Sequence, residues 1–173
     1  MNKLSSSLTV RDIALIGLMS ATITAGKLAL SFIPNVEVVT LLFIVYTVSL
    51  GVKKTLLASF IFSTTEILMY GFATWLLGYY LFWPLLILIT ALMRKIIQTE
   101  YGYALLAGIF GLLFGAFFAL IESIFYGYVY GFSYWIRGLP FDVVHGISNF
   151  IIVLLLYKPL GNLLQSQFKK FSS

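Results

Sequence analysis

The stretch Ile13-Ala-Leu-Ile-Gly-Leu-Met-Ser-Ala-Thr-Ile-Thr-Ala-Gly-Lys-Leu-Ala-Leu-Ser-Phe-Ile-Pro34-Asn35 is apolar over about one membrane thickness and carries one charge, Lys27. Within it Gly17, Ala21, Ala25 and Ala29 recur every fourth position. On an α-helix that spacing makes a slowly winding groove of small residues, where another backbone can approach closely. Pro34 ends the run, because proline lacks an N–H and holds a fixed φ that favours a turn before Asn35. The first segment therefore reads as a membrane helix with a docking stripe: Gly17, Ala21, Ala25 and Ala29.

Working outward, the rest of the chain has the same character. Of 173 residues, 61% are hydrophobic and 10% charged, with a mean hydropathy of +1.02. A soluble domain of this size could not cover so much apolar surface with so little charge. The expected class is an all-α integral membrane protein, folded as one domain because no Pro/Gly/Ser-rich or charge-rich linker divides residues 1–173. There is no cysteine, which excludes disulfides, thiolate catalysis and Cys-based metal sites. Residues Met1–Asp12 are polar, but the following run is long enough to span, so no cleavable signal peptide is expected.

Six spanning segments are predicted: Asp12–Ile33, a short Val36–Gly51, Lys54–Tyr70, Tyr79–Met93, Tyr101–Tyr126 and Leu139–Tyr157. With six crossings, Lys3, Arg11, Lys53, Lys54, Arg94, Lys95, Lys158, Lys169 and Lys170 fall on one face, and the other receives only Arg137. The positive-inside rule then puts both termini in the cytoplasm. The net charge of +5 reads as topology rather than as a nucleic-acid footprint. The expected non-cytoplasmic connections are the turn at Pro34–Glu37 and two aromatic, glycine-rich loops, Gly71–Tyr80 and Gly127–Gly138. The fifth segment repeats the small-residue device at Ala107, Gly111, Gly115, Ala119, Ser123 and Gly127.

Charges inside a bilayer cost several kcal/mol each on insertion scales, so each is a candidate for function. They are Lys27, Glu66, Glu122 and Asp142, with His145 if protonated. Asp142, His145 and Asn149 share one helical face by their spacing. In the six-span arrangement all lie in the outer half of the membrane, and the inner half has no comparable cluster. That asymmetry points to one pocket open to the outside, because a polar pathway through the bundle would need such groups at the midplane and below. The plainer alternative is internal pairing that fixes helix register: Lys27 with Glu66 or Glu122, and Asp142 with His145.

The aromatic residues divide in the same way. Tyr70, Trp75, Tyr79, Tyr80, Trp83, Tyr126, Tyr128, Tyr130, Tyr134 and Trp135 fall near the outer face, against Tyr101, Tyr103 and Tyr157 on the inner one. A lipid-interface belt would occupy both faces. The excess suggests aromatic walls around a large or flat organic ligand, with Arg137 available to an anionic or amide group. An asymmetric belt is the alternative. No catalytic set is expected: Gly146-Ile-Ser-Asn149 departs from the membrane serine-protease pattern Gly-x-Ser-Gly at its last position. One histidine is too few for a zinc site. No phosphate-binding lysine motif occurs, so any uphill transport must draw energy from another chain.

Several motifs bear on the family. They are Ala21-x-x-x-Ala25 followed by Ile33-Pro34-Asn35, the pattern Gly71-x-x-x-Trp75-x-x-Gly78-Tyr79, and Leu139-Pro-Phe-Asp-Val-Val-His145-Gly-Ile-Ser-Asn149. On six aromatic-rich segments in under 200 residues, they resemble the substrate-binding (S) components of energy-coupling-factor (ECF) vitamin transporters. The resemblance covers nearly the whole chain and is nearest to cobalamin members. Pantothenate, riboflavin, a pyrimidine precursor and a queuosine-type base stay open. It implies a non-enzymatic, multi-pass subunit of the bacterial cell membrane that binds its vitamin in the outer half. Its site would draw on Asn35, Glu37, Glu66, Tyr70, Trp75, Tyr79, Trp83, Glu122, Tyr126, Tyr130, Tyr134, Arg137, Asp142, His145 and Asn149. It also implies a membrane coupling (T) subunit docking on the Ala-x-x-x-Ala face, two cytoplasmic subunits that use ATP, no cofactor in this chain, and transport by toppling of the whole S component. Lys27 departs from a wholly apolar first helix and is expected to turn inward toward Glu66 or Glu122. Two other readings are a membrane enzyme using Asp142 and His145 as an acid–base pair, and a purely structural assembly subunit.

Overall fold

The computed structural model describes residues 8–170; Lys3 lies outside them, as do the side chains of Lys169 and Lys170. Among the described residues the chain is all-helical: α1 Val10–Leu30, α2 Val39–Leu50, α3 Val52–Tyr70, α4 Thr74–Met93, α5 Glu100–Leu112, α6 Phe114–Tyr126 and α7 Tyr128–Lys170. Four helical stretches are long and apolar enough to cross a membrane: α1, α4, α5 with α6 as one run, and α7 through Gln167. The shorter α2 is also apolar. Large apolar side chains stand on the surface, Leu68 at 81% and Leu92 at 75% exposure. Such a surface suits contact with lipid.

The ends of the helices are set by local chemistry. Thr9 caps α1 through a reciprocal capping box with Asp12, which satisfies two backbone donors. Glu37 accepts the backbone N–H of Thr40 at 2.9 Å and so satisfies an amide at the start of α2 that has no partner within the helix. Gly51, Gly71 and Gly127, with φ of 94°, 79° and 86°, close α2, α3 and α6 in a conformation that costs other residues a steric clash.

α7 packs chiefly on α5 and α6, while α1 packs on α3 and α2. Between them a dense aromatic core links α2, α3, α4 and α6 through Phe43, Phe62, Tyr79, Phe82, Trp83 and Phe118, with ring centroids 5.2–6.2 Å apart. At one end of the bundle, Lys54 pairs with Asp12 at 2.6 Å and Lys158 with Glu100 at 2.5 Å. The opposite end holds Lys27, Glu37, Glu66, Glu122, Asp142 and His145.

Two expected loops are helical. Helix α4 begins at Thr74 rather than Tyr79, and α7 begins at Tyr128 rather than Leu139, so Gly71–Tyr80 and Gly127–Gly138 are mostly helix. The glycines that suggested loops serve packing instead. A Cβ on Gly78 would lie 2.4 Å from the Phe118 ring, and one on Gly131 would lie 2.6 Å from the Ala119 carbonyl oxygen. The expected fifth segment is two helices divided at Leu113, and the sixth continues past Tyr157 to Lys170 with Pro140 and Pro159 inside it.

Candidate functional site

Two adjoining cavities open at the Lys27 end. The larger, about 690 Å³, lies mainly against α7 and is lined by Tyr130, Ser133, Tyr134, Arg137 and Asp142, with Phe114 and Gly115 from α6. The smaller, about 270 Å³, lies under the 31–38 turn and is lined by Lys27, Glu37, Tyr79, Trp83 and His145. Asn35 and Phe114 border both. Together they have the size and the aromatic-with-few-polar lining of an organic-ligand site.

Lys27 belongs to this site and not to the outer face of α1. Its Nζ pairs with Glu66 Oε2 on α3 and lies 3.5 Å from the Tyr79 hydroxyl. The ammonium also sits 5.1 Å from the Tyr70 ring centroid, 5.2 Å from Tyr79, and 5.9 Å from both Trp75 and Phe62. An aromatic cage of this kind attracts a cation through the ring quadrupoles. Glu66 is fully buried, so the lysine offsets a charge that would otherwise be very costly there. Of the two partners expected for Lys27, the one found is Glu66. Glu122 instead accepts a hydrogen bond from the Thr74 hydroxyl at 2.6 Å.

The α7 residues are placed by the close contact of α7 with α5 and α6. Asp142, His145 and Asn149 are all buried on the shared face that their spacing predicts. Asp142 and His145 do not pair with each other. The Gly115 N–H, two residues past the break at Leu113, donates to Asp142 Oδ1 at 2.9 Å. His145 Nε2 lies 3.2 Å from Glu37 Oε1, and its ring meets Phe114 edge-on at 4.8 Å. Burial opposes the charge of Glu37, but His145 and then Thr40 outweigh that and hold its carboxyl below the ordinary glutamate range. Asn149 donates to Thr40 Oγ1 at 3.1 Å, and Ser148 donates to the Asn35 carbonyl at 2.9 Å. Asn35 itself has φ 59°, a left-handed turn that asparagine tolerates. The start of α2, the 31–38 turn and α7 are thus fastened together.

The structure sorts the expected site residues into three groups. Asn35, Glu37, Tyr79, Trp83, Tyr130, Tyr134, Arg137, Asp142 and His145 line the cavities. Glu66, Tyr70 and Trp75 surround Lys27, and Asn149 braces Thr40. Glu122 and Tyr126 line neither cavity; Tyr126 is exposed and packs against Tyr130 at 5.0 Å. Phe114, Gly115 and Ser133 line the larger cavity without having been expected among the site residues. Phe114 has no contrast within an apolar run, whereas the glycine spacing through Gly111 and Gly115 marks where α7 comes close.

Gly17, Ala21, Ala25 and Ala29 are exposed on α1. Gly17, Ala21 and Ala25 line a shallow groove of about 420 Å³ with Ile61 and Thr65 of α3. No protein-family model, curated protein or solved structure matches this chain.

Proposed function

We propose that this chain is the vitamin-binding S component of an ECF-type importer in a bacterial cell membrane. The observation that carries this reading is the pair of joined cavities, aromatic and charge-lined, at one end of an otherwise apolar bundle. The chain crosses the membrane six times in this reading, with α5 and α6 forming one crossing and both termini in the cytoplasm. The cavities then face outward, where a scarce nutrient is captured. Cobalamin is the first candidate ligand, since its rim of primary amides suits a wide polar-edged site. The chain holds no ATP-binding motif, so a T subunit and two ATPases supply the power stroke. The exposed small-residue face of α1 supports docking of the T subunit there, as close backbone approach requires.

The test is calorimetry on the purified chain with a panel of water-soluble vitamins, without ATP, followed by affinity capture from the native membrane. The reading requires tight binding of one vitamin, with a Kd on the order of nanomolar, about −12 kcal/mol. It also requires co-capture of a T subunit and two ATPases. Absence of binding across the panel would overturn it.

A further inference from the structure

We infer that the ligand presents N–H donors or a positive charge to Asp142 and His145, so that carboxylate vitamins are not the cargo. This rests on the binding role proposed above and narrows the chemical class of what is bound.

The first support is the supply of unused acceptors. Asp142 is 5% exposed, lines the larger cavity, and its Oδ2 has no hydrogen-bond partner among the described residues. His145 is 4% exposed, lines the smaller cavity, and its Nδ1 is likewise without a partner. Because Nε2 faces the Glu37 carboxylate, that nitrogen carries a proton, which leaves Nδ1 as an acceptor whenever the ring is neutral. Trp83 Nε1 is a buried donor on the lining that is likewise without a partner among the described residues. Buried polar atoms are normally satisfied, and these two acceptors belong to residues on the walls of the joined cavities, where donors on a ligand would satisfy them.

Charge gives a second support. Glu37, Glu66, Glu122 and Asp142 gather at this end, against the fixed cations Lys27 and Arg137. The Lys27 charge is taken up by Glu66 and the aromatic cage. Arg137 stands exposed at the rim of the larger cavity. Glu122 lines neither cavity, so at the site Glu37, Glu66 and Asp142 stand against Lys27 and Arg137, a net negative balance while His145 is neutral and an even one when it is protonated. An incoming carboxylate would meet the like charges of Asp142 and Glu37, a contact that disfavours it.

The experiment is titration of the full-length purified chain with cobalamin and thiamine, which carry amide or amino N–H groups or a positive charge, and with pantothenate and biotin, which end in carboxylates. One of the first pair should bind at least roughly 100-fold more tightly than either of the second. Asp142→Asn keeps the acceptor for Gly115 N–H but removes the negative charge, and should weaken that binding by at least about tenfold at an unchanged Tm. Tightest binding of pantothenate or biotin overturns the inference and leaves the transporter reading standing. An unchanged Kd in a folded Asp142→Asn protein overturns it as well. If the variant fails to fold, the wild-type ranking decides. Failure of all four ligands overturns this inference, while the transporter reading falls only if the wider vitamin panel fails as well.

Discussion

Two stripes of small residues with the same spacing have opposite fates in this bundle. Gly17, Ala21, Ala25 and Ala29 on α1 face outward, and a Cβ on Gly17 would meet nothing within 4 Å. Ala107, Gly111, Gly115 and Ala119 on α5 and α6 are buried against α7. A Cβ on Gly111 would come within 2.8 Å of the His145 carbonyl oxygen and 2.9 Å of Gly146 Cα. Periodicity of small residues thus marks where a backbone can come close, without saying whether that backbone is in the same chain. The α5–α6 stripe has its partner here, and the α1 stripe has room for one.

The contrast can be tested on α1 itself, whose inward side carries Lys27. Lys27→Met should leave Glu66 buried without its counter-charge and cost about 3–5 kcal/mol, seen as a large fall in Tm. Adding Glu66→Leu should recover most of it. If Lys27→Met is silent, α1 has no inward anchor and its outward stripe loses its fixed orientation. A smaller effect is expected on the buried stripe. Gly111→Ala should destabilise by about 1–3 kcal/mol, because the obstructing atoms are backbone and cannot swing aside. Gly17→Ala, by thermal melting in the same detergent, should be neutral or slightly stabilising. Equal losses at the two glycines would erase the distinction. The smallest effect on the fold is expected from Ala21→Trp, within about 0.5 kcal/mol by the same melting assay. That variant should nonetheless abolish co-purification with a T subunit while vitamin binding persists. Loss of binding as well would move the α1 stripe into the bundle core.

How much of this was readable in the sequence depended on contrast. Lys27, Glu66, Asp142 and His145 stand out because a charge in an apolar run is expensive, and they do converge at one end. Their pairing was not readable. The choice of Glu66 over Glu122 for Lys27, and of Glu37 rather than Asp142 for His145, depends on helix rotation and on how the 31–38 turn folds back. Glycine was the least legible residue. Gly78 and Gly131 sit in runs that look like loops, yet each is a helical contact point with a neighbouring helix. Phe114, which separates the two cavities, is one apolar residue among many, and only the fold gives it a place.

Helix α7 gives the bundle leverage. Its 43 residues make a rod about 65 Å long. Asp142 and His145, on the cavity wall, and Lys158, paired with Glu100 near the other end, all lie between Pro140 and Pro159. His145 and Lys158 are about 20 Å apart along the axis, so a tilt of about 5° at the cavity moves the Lys158 end by roughly 2 Å. With no loop or proline between those points to absorb the motion, a tilt of α7 at the cavity would carry through to the far end of the molecule.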